Sequence, residues 1–201
     1  MKNKLELVKS YVKEKLSLEA TGHDYFHSLR VMNNAIQISN GIEVNLEVIK
    51  LSSLVHDLID EKVSENIELS KKELVEKLIL FEYSETIIKE VLYIIENVSY
   101  SKGNTPSTIE GKIVQDADRL DALGAIGIAR TFAYGGNKNR LIYNPGSTDD
   151  SDSVYHFYDK LFKLKDLMNT ENAKIIAEKR TLFMKEYLNA FYKEWEGLDL
   201  E

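Results

Sequence analysis

The side chains best suited to metal or acid–base chemistry in this 201-residue chain are a few histidines and a set of aspartates. The chain has four histidines, His23, His27, His56 and His156, and no cysteine, so any catalytic or metal-binding imidazole must be one of these four. The lack of cysteine also excludes disulfides, thiolate metal sites, iron–sulfur clusters and cysteine nucleophiles. Chemistry of this kind therefore depends on imidazoles and carboxylates.

Two apolar segments of the sequence carry acidic side chains that a buried helix does not usually contain. His56 and Asp57 lie in one of them, and three aspartates with one arginine interrupt the other, residues 114–123. Asp118 and Asp121 are one turn apart in that second segment and project together if it is helical. Burying an ionised carboxylate is costly unless it is paired or bound to a cation. An Asp–Arg network explains part of this pattern, whereas a shared divalent ion explains both segments.

The elements that must position these residues are predicted to be helices. Apolar residues recur every three or four positions along most of the chain, which is the period of a helix with one buried face. The predicted helices cover residues 5–16, 22–38, 45–59, 67–80, 85–97, 109–134, 153–168 and 171–194, with Asn45, Ser84 and Thr170 as caps. On the second of these helices, His23 and His27 would share one face.

The organisation predicted from this pattern is a single all-α domain over residues 1–201. Its core covers about 20–130, and its C-terminal helices cover about 153–195. Between them, residues 135–152 are rich in Gly, Asn and Asp and are predicted to form a long loop. Because a loop of this length is uncommon in a compact domain, it is a candidate lid or binding loop; the alternative is a disordered surface excursion.

Composition and charge limit the classes of partner. Hydrophobic residues make up 43% of the chain, which is ordinary for a globular protein and argues against a mostly disordered chain. The 33 acidic and 26 basic groups give a net charge of −7, so no nucleic-acid polymer is expected as a partner. No run approaches the ~20 apolar residues of a membrane span, and no secretory signal is recognisable. A cytoplasmic protein without a membrane partner is expected.

The spacing of the histidines and aspartates resembles the H…HD…D pattern of the HD-domain superfamily of metal-dependent phosphohydrolases. The four matching residues are His27, His56, Asp57 and Asp118. Residues 22–31 resemble the opening helix of that family, in which Arg follows the ligand histidine by three positions. Residues 116–130 are similar to the final-aspartate helix of a subgroup of small bacterial HD hydrolases, and the Ala-Asp-x-Leu context selects Asp118 over Asp116. The resemblance covers about residues 20–195.

The resemblance implies an HD-type helical bundle with a long loop between the helix of the fourth ligand and the C-terminal helices. It implies one divalent metal bound by His27, His56, Asp57 and Asp118. Mn²⁺ is favoured, while Mg²⁺, Ni²⁺, Co²⁺, Fe²⁺ and Zn²⁺ are also compatible with imidazole and carboxylate ligands. The implied reaction is hydrolysis of nucleotides, in particular of nucleoside triphosphates to monophosphate and pyrophosphate.

Within this implied enzyme, Asp57 and Asp60 are the predicted catalytic residues. Asp60 lies three residues after Asp57 and four after His56, so on a helix it would share their face. It is therefore predicted to orient or deprotonate the attacking water, or to protonate the leaving group. Many HD enzymes have Lys at this position, whereas here Lys62 follows two residues later.

The substrate of such an enzyme is a small phosphorylated molecule, most simply a nucleotide, and a bound cation would reverse the local negative field that otherwise repels it. The predicted substrate-binding residues are His23, Arg30, Lys62, Asp121, Lys138, Arg140 and Tyr143. Arg30 lies one turn after His27 and could reach a phosphate, or instead pair with Asp24 or Asp121. The last three residues of the set lie in the predicted loop and would hold the phosphates or the base.

Two other functions stay open at this point. One is a nucleotide-binding regulatory module with little or no turnover. The other is a zinc peptidase, since His23-Asp24-x-x-His27 is similar to the H-E-x-x-H helix with Asp in place of Glu. The peptidase leaves His56, Asp57 and Asp118 unexplained. A homodimer is compatible with the sequence.

Overall fold

The computed structural model describes residues 3–17, 24–60, 66–98, 104–146, 151–198 and 200. Every regular element in these ranges is helical, and the only β-type pairing there is a single bridge between Leu141 and Asp152. The all-α prediction is therefore confirmed. Within the same ranges, no helix combines the length and the apolar content that crossing a membrane requires. The chain divides into two compact units, residues 1–118 and 119–201.

The first unit is built around helix α3. Its helices are α1 (Lys4–Lys15), α2 (Tyr25–Ile38), α3 (Leu46–Val55), α4 (Ile67–Leu80), α5 (Glu85–Asn97) and α6 (Ile109–Asp121), whose last three residues belong to the second unit. Helix α3 packs against α1, α2 and α5. Residues 51–55 of α3 are all buried, as expected for a helix that is covered on every side.

Side-chain caps set the first residues of several of these helices. The Asn45 side chain accepts hydrogen bonds from the backbone N–H groups of Glu47 and Val48, and Ser84 accepts one from Ile87. Each cap satisfies a donor that the first turn of a helix leaves unpaired. Both predicted caps are confirmed, and α4 and α5 have the predicted bounds.

Helix α2 begins later than predicted. It starts at Tyr25 and not near residue 22, because the Asp24 side chain caps it by accepting a 2.7 Å hydrogen bond from the backbone N–H of His27. The carboxylate satisfies an otherwise unpaired donor of the first turn. The cap thereby holds the backbone of His27 at the start of α2.

Helix α3 ends earlier than the predicted residue 59. Its α-helical part stops at Val55, and His56–Ile59 form a 3-10 segment. The imidazole Nδ1 of His56 lies 2.9 Å from the carbonyl oxygen of Ser53, an acceptor that a continuing α-helix would use for its backbone. Asp60 follows this segment with an extended backbone, and its N–H donates to the Asp57 carbonyl at 3.1 Å. The prediction that Asp60 shares one face of an α-helix with His56 and Asp57 is therefore wrong, because the α-helix ends before all three residues.

The second unit contains α7 (Gly124–Asn137), α8 (Tyr155–Asp159), the 3-10 segment Leu161–Leu167 and α9 (Glu171–Glu196). The prediction of one helix over residues 109–134 is wrong, because the helix breaks between Asp121 and Gly124. Leu123 is extended and Gly124 has a φ of +74°, a conformation that ends helices. The predicted helix over 153–168 is likewise divided into α8 and the 3-10 segment.

The predicted loop over residues 135–152 is shorter at its start, because α7 continues to Asn137. Its two ends are joined by the bridge between Leu141 and Asp152, in which the N–H of Ser153 donates to the Leu141 carbonyl at 2.9 Å. A Cβ atom at Gly135 would lie 2.0 Å from the Ser153 Oγ, so glycine allows the end of α7 to approach the far side of the loop. Residues 147–150 lie outside the described ranges.

Helix α9 covers the second unit with one of its faces. The buried residues of this face are Ala173, Ala177, Thr181, Met184 and Leu188. They recur every three or four positions and pack toward α7 and the 3-10 segment Leu161–Leu167. Thr170 occupies the predicted cap position, but its side chain accepts no capping hydrogen bond.

Candidate metal centre

Four polar residues from three elements meet inside the first unit. His27 lies in the first turn of α2, and Asp118 lies near the end of α6. His56 and Asp57 open the 3-10 segment that follows α3. These are the four residues that the sequence pattern predicts as metal ligands, and the fold brings all of them together.

Ligand atoms of His27, His56 and Asp118 all lie within 4.8 Å of one another, and the carboxylate of Asp57 lies beside both imidazoles. The Nε2 atom of His27 is 3.4 Å from Asp57 Oδ2 and 3.3 Å from Asp118 Oδ1. The Nε2 atom of His56 is 3.3 Å from Asp57 Oδ1 and 3.8 Å from Asp118 Oδ1. Atoms that bind one ion at about 2.0–2.2 Å are themselves about 2.8–3.6 Å apart. The observed spacing is therefore close to that of a metal-binding cage.

The orientation of His56 is set by the backbone. Its Nδ1 atom lies 2.9 Å from the carbonyl oxygen of Ser53, and because a carbonyl only accepts, Nδ1 carries the hydrogen. The Nε2 atom is buried and makes no hydrogen bond to any described residue, although two carboxylates lie nearby. A buried polar atom without a hydrogen bond is costly, and coordination of a metal would satisfy it. The site therefore fits a divalent cation.

The charges of the cluster also favour a cation. Burial alone would lower the pKa of His56, but the negative charges of Asp57 and Asp118 outweigh burial and raise this pKa from 6.5 to about 10. Burial alone would raise the pKa of Asp118, but the imidazoles of His27 and His56 hold it well below its usual range. Without a metal, His56 therefore holds a proton. The two carboxylates that favour this single positive charge would attract a divalent cation more strongly.

Three residues of the cluster are buried, and Asp118 is its most exposed member. The exposed fraction is 1% for His27, 6% for His56 and 4% for Asp57, whereas the Asp118 side chain is 28% exposed. A water molecule or a substrate oxygen can therefore approach from the side of Asp118. Open coordination positions of this kind distinguish catalytic from purely structural metal sites.

Sequence comparison agrees with this geometry. The model of the HD domain family matches residues 24–123, a range that contains all four residues of the cluster. The uncharacterized protein YpgQ of Bacillus subtilis is 38% identical over 200 residues, which cover 98% of this chain and 96% of YpgQ. The chain belongs to the HD-domain family. The predicted resemblance is thereby confirmed.

Solved structures resemble the HD protein along nearly its whole length. The crystal structure of Bacillus subtilis YpgQ in complex with ADP matches with a TM-score of 0.82 and 38% identity, covering 98% of this chain and 97% of YpgQ. An HD-superfamily hydrolase from Bacillus thuringiensis matches with a TM-score of 0.81 and 45% identity, covering 96% and 97% of the two chains. The HD protein thus shares its family and fold with hydrolases.

Two buried amides on the helices of the cluster were not predicted. The Asn34 side chain, on α2, donates a 3.3 Å hydrogen bond to the carbonyl of Ala117, which directly precedes Asp118 on α6. The Gln115 side chain donates a 2.8 Å hydrogen bond to the carbonyl of Asn104. Asn34 is 8% exposed and Gln115 is 1% exposed. Both amides stand between apolar residues in the sequence, and this position could have indicated that they are buried and hydrogen-bonded.

We expect Asn34→Ala to weaken metal binding about tenfold, because Asn34 ties α2, which carries His27, to the peptide before Asp118. Titration with Mn²⁺ against a competing chelator measures this affinity. The control is Asn33→Ala, which changes an exposed residue of the same helix and should leave the affinity unchanged. Equal affinities for the two variants would contradict the positioning role of Asn34.

We also expect metal binding to release about one proton at pH 8, because His56, with a pKa of about 10, is protonated there in the metal-free protein. Metal affinity should then rise about tenfold per pH unit below pH 10. In the metal-free protein, the raised pKa stabilises the fold below about pH 6.5, and this contribution is lost as the pH rises toward 10. Calorimetry in buffers of different ionisation enthalpy measures the release; buffer-independent heats would argue against it.

Of the predicted catalytic and substrate-binding residues in the first unit that are not metal ligands, the structure describes two. Asp60 is half-buried and ends the 3-10 segment, where its backbone N–H donates to the Asp57 carbonyl at 3.1 Å. Arg30 is half-buried on α2, one turn after His27. Lys62 and His23 lie outside the described ranges. The catalytic and substrate-binding roles of these residues stay predictions.

The predicted substrate contacts of the second unit all have partners within that unit. Asp121 is buried and forms an ion pair with Arg130. The charged groups of Lys138 and Arg140 each lie 5.7 Å from the ring centre of Tyr134. Tyr143 makes edge-to-face contacts with Phe191, Tyr192 and Trp195 of α9. Their roles as substrate contacts also stay predictions.

Proposed function

We propose that this HD protein is a metal-dependent phosphohydrolase acting on nucleotides, and that it hydrolyses nucleoside triphosphates to monophosphate and pyrophosphate. The observation that carries the proposal is the buried cage of two imidazoles and two carboxylates, with donor atoms 3.3–3.8 Å apart and an open side at Asp118. The binding of ADP by YpgQ, a relative 38% identical to this chain, supports a nucleotide as the substrate class.

The four ligands would hold one divalent cation. His27 and His56 would bind through Nε2 as neutral imidazoles, and Asp57 and Asp118 would contribute two negative charges that offset those of the ion. The family resemblance favours Mn²⁺, and this mixture of nitrogen and oxygen ligands is also compatible with Mg²⁺, Fe²⁺, Co²⁺, Ni²⁺ or Zn²⁺. A bound ion of this kind supplies Lewis acidity, which neutralises charge on a phosphate and lowers the pKa of water.

Asp60 is the proposed proton carrier. It follows Asp57 by three residues, its backbone N–H donates to the Asp57 carbonyl at 3.1 Å, and it is half-buried and not one of the four proposed ligands. In this role its carboxylate accepts a proton from the attacking water, or as the acid it donates one to the leaving oxygen. Arg30, one turn after His27, is the proposed phosphate contact of the first unit. A planar guanidinium suits this task because it can form two parallel hydrogen bonds with phosphate oxygens.

The two other functions are less well supported. A regulatory module would need neither the complete ligand set nor its open side at Asp118. A peptidase of the H-E-x-x-H type would bind its metal through His23 and His27 and leaves the other three residues of the cluster unexplained. The groups that surround His27 belong instead to His56, Asp57 and Asp118.

The deciding experiment combines metal analysis with a substrate screen. We expect the purified protein to bind about one divalent ion per chain and, with Mn²⁺ added, to release pyrophosphate from nucleoside triphosphates. The screen should include di- and monophosphates and should measure pyrophosphate separately from phosphate. Release of phosphate alone would keep the phosphohydrolase and exclude the pyrophosphate-forming reaction. Tight metal binding without hydrolysis of any nucleotide would favour the regulatory module.

A further inference from the structure

The last turn of α6 begins with one of the four proposed metal ligands. Asp118 opens this turn, and Arg119, Leu120 and Asp121 complete it as part of the second unit. The C-terminal end of a helix has a partial negative charge, so two carboxylates in its last turn are unfavourable unless cations lie nearby. The turn that sets the direction of the Asp118 side chain therefore needs support from outside α6.

Two arginine side chains connect this turn to neighbouring elements of the second unit. Arg119 donates a hydrogen bond to the carbonyl of Leu167, the last residue of the 3-10 segment Leu161–Leu167. Arg130, on α7, forms an ion pair with the buried carboxylate of Asp121. The ion pair places a positive charge beside one of the two carboxylates of the turn. Both contacts restrict the movement of the turn after Asp118.

Arg180, on α9, contacts the backbone of the same turn. Its Nη1 atom donates a 2.6 Å hydrogen bond to the carbonyl oxygen of Leu120. The last carbonyl groups of a helix lack an intrahelical N–H partner, and a basic side chain is a suitable donor to them. Burial lowers the pKa of Arg180, and the negative charge of Asp121 opposes this effect. The guanidinium therefore interacts with a carbonyl and with a carboxylate, and both favour its positive charge.

The backbone that follows α6 is shaped to accept Arg180. Helix α7 begins at Gly124, where φ is +74°. A Cβ atom at this position would lie 3.1 Å from the Cγ atom and 3.3 Å from the Cβ atom of Arg180. Any other residue would therefore be strained in its backbone and would crowd the arginine stem. This close packing limits the positions that the guanidinium can reach.

We propose that Arg180 is a positioning residue of the metal centre, which fixes the direction of the Asp118 carboxylate by holding the last turn of α6. Residues of one helical turn share a hydrogen-bonded backbone, so a shift at Leu120 also moves Asp118. Metal–ligand distances tolerate deviations of only about 0.2 Å, so even a small shift weakens coordination. The inference rests on the metal site of the proposed function and extends its support to α9.

The test measures the Mn²⁺ affinity of the metal-stripped protein by titration against a competing chelator. Arg180→Met retains an unbranched stem beside Gly124 and removes the donor, so we expect the affinity to fall about tenfold or more. Arg180→Lys retains the charge and a donor on a shorter stem, so its affinity should lie between those of Arg180→Met and the wild type. Lys179→Met removes a positive charge from the adjacent exposed residue and should leave the affinity unchanged.

A second control separates positioning from stability. Leu188→Ala removes a buried side chain from α9 about two turns beyond Arg180. It should lower the melting temperature of the metal-free protein and leave the Mn²⁺ affinity of the folded protein unchanged. An equal loss of affinity in Leu188→Ala would overturn the proposal, because the loss would then follow from stability alone.

The Arg180 variants decide the remaining outcomes. Arg180→Met protein with the wild-type affinity would overturn the proposal, and so would Arg180→Lys protein as weak as Arg180→Met. If Arg180→Met does not fold, wild-type affinity in Arg180→Lys would overturn it instead. The titration needs no substrate, so a wild-type protein that binds Mn²⁺ without hydrolysing nucleotides would contradict the proposed function alone. Equal affinities of Arg180→Met and an active wild type would contradict the role of Arg180 alone.

Discussion

Replacing His56 with asparagine should abolish metal binding and lower nucleotide hydrolysis about a thousandfold. The Nε2 atom of His56 faces the carboxylates of Asp57 and Asp118, and Ser53 holds the ring in that orientation. Asparagine is too short to place a donor atom at the same point. Metal content measured by atomic emission and turnover measured with Mn²⁺ and a nucleoside triphosphate report the two effects separately.

The control for this substitution is His156→Asn. His156 lies in α8 of the second unit and is not part of the cluster, so this variant should bind metal as the wild type does. A His56→Asn protein that retained a full equivalent of metal would contradict the four-residue site. It would also revive the peptidase hypothesis, in which His23 and His27 bind zinc without His56.

Asp60→Asn should retain the metal and lower turnover by about 100- to 10,000-fold, the range that general acid–base catalysis contributes. The expectation follows from the position of Asp60, one 3-10 turn beyond Asp57 but outside the ligand set. Asparagine preserves the size of the side chain and removes its capacity to carry the proton. The measurement is turnover with saturating Mn²⁺, together with metal content and the apparent KM.

Glu85→Gln provides a matched loss of one negative charge in the same unit. Glu85 is 90% exposed at the start of α5, so its substitution should leave turnover near the wild-type value. Unchanged turnover in Asp60→Asn would remove Asp60 from the catalytic role. Loss of metal in that variant would assign Asp60 to the support of the ligands.

Local sequence signals predict much of the first unit. Asn45 and Ser84 stand directly before apolar helical periods, and a cap depends only on the few residues that follow it. The four residues of the metal centre were predictable for a related reason. A histidine and carboxylates inside apolar segments cannot be buried at low cost without a common partner, and the HD pattern names the same residues.

The features that the sequence did not predict depend on contacts between distant residues. The end of α3 at Val55 reflects the hydrogen bond of His56 with Ser53, and this bond orients the His56 imidazole. The hydrogen bond from Asn34 to Ala117 joins residues that are 83 positions apart. Periodicity describes which face of a helix is buried, but it cannot tell which polar side chain of one helix will meet another.

The loop residue Tyr143 illustrates a different limit. Its position among basic and glycine-rich residues indicates ligand binding, yet its ring packs edge-to-face against Phe191, Tyr192 and Trp195. Aromatic rings stabilise a fold and bind nucleotide bases by the same kind of contact. Composition alone therefore cannot distinguish the two uses, and substitution of Tyr143 has to be measured on stability as well as on substrate affinity.

The wide separation of the ligands along the chain has a consequence for biosynthesis. His27 is translated early, whereas the carboxylate of Asp118 follows only after the helices between them have left the ribosome. An incomplete nascent chain thus presents too few donors to hold an ion firmly, and it must first close the long intervening segments at an entropic cost. We therefore expect the metal to bind late in maturation, after the first unit has folded, and to stabilise the folded unit.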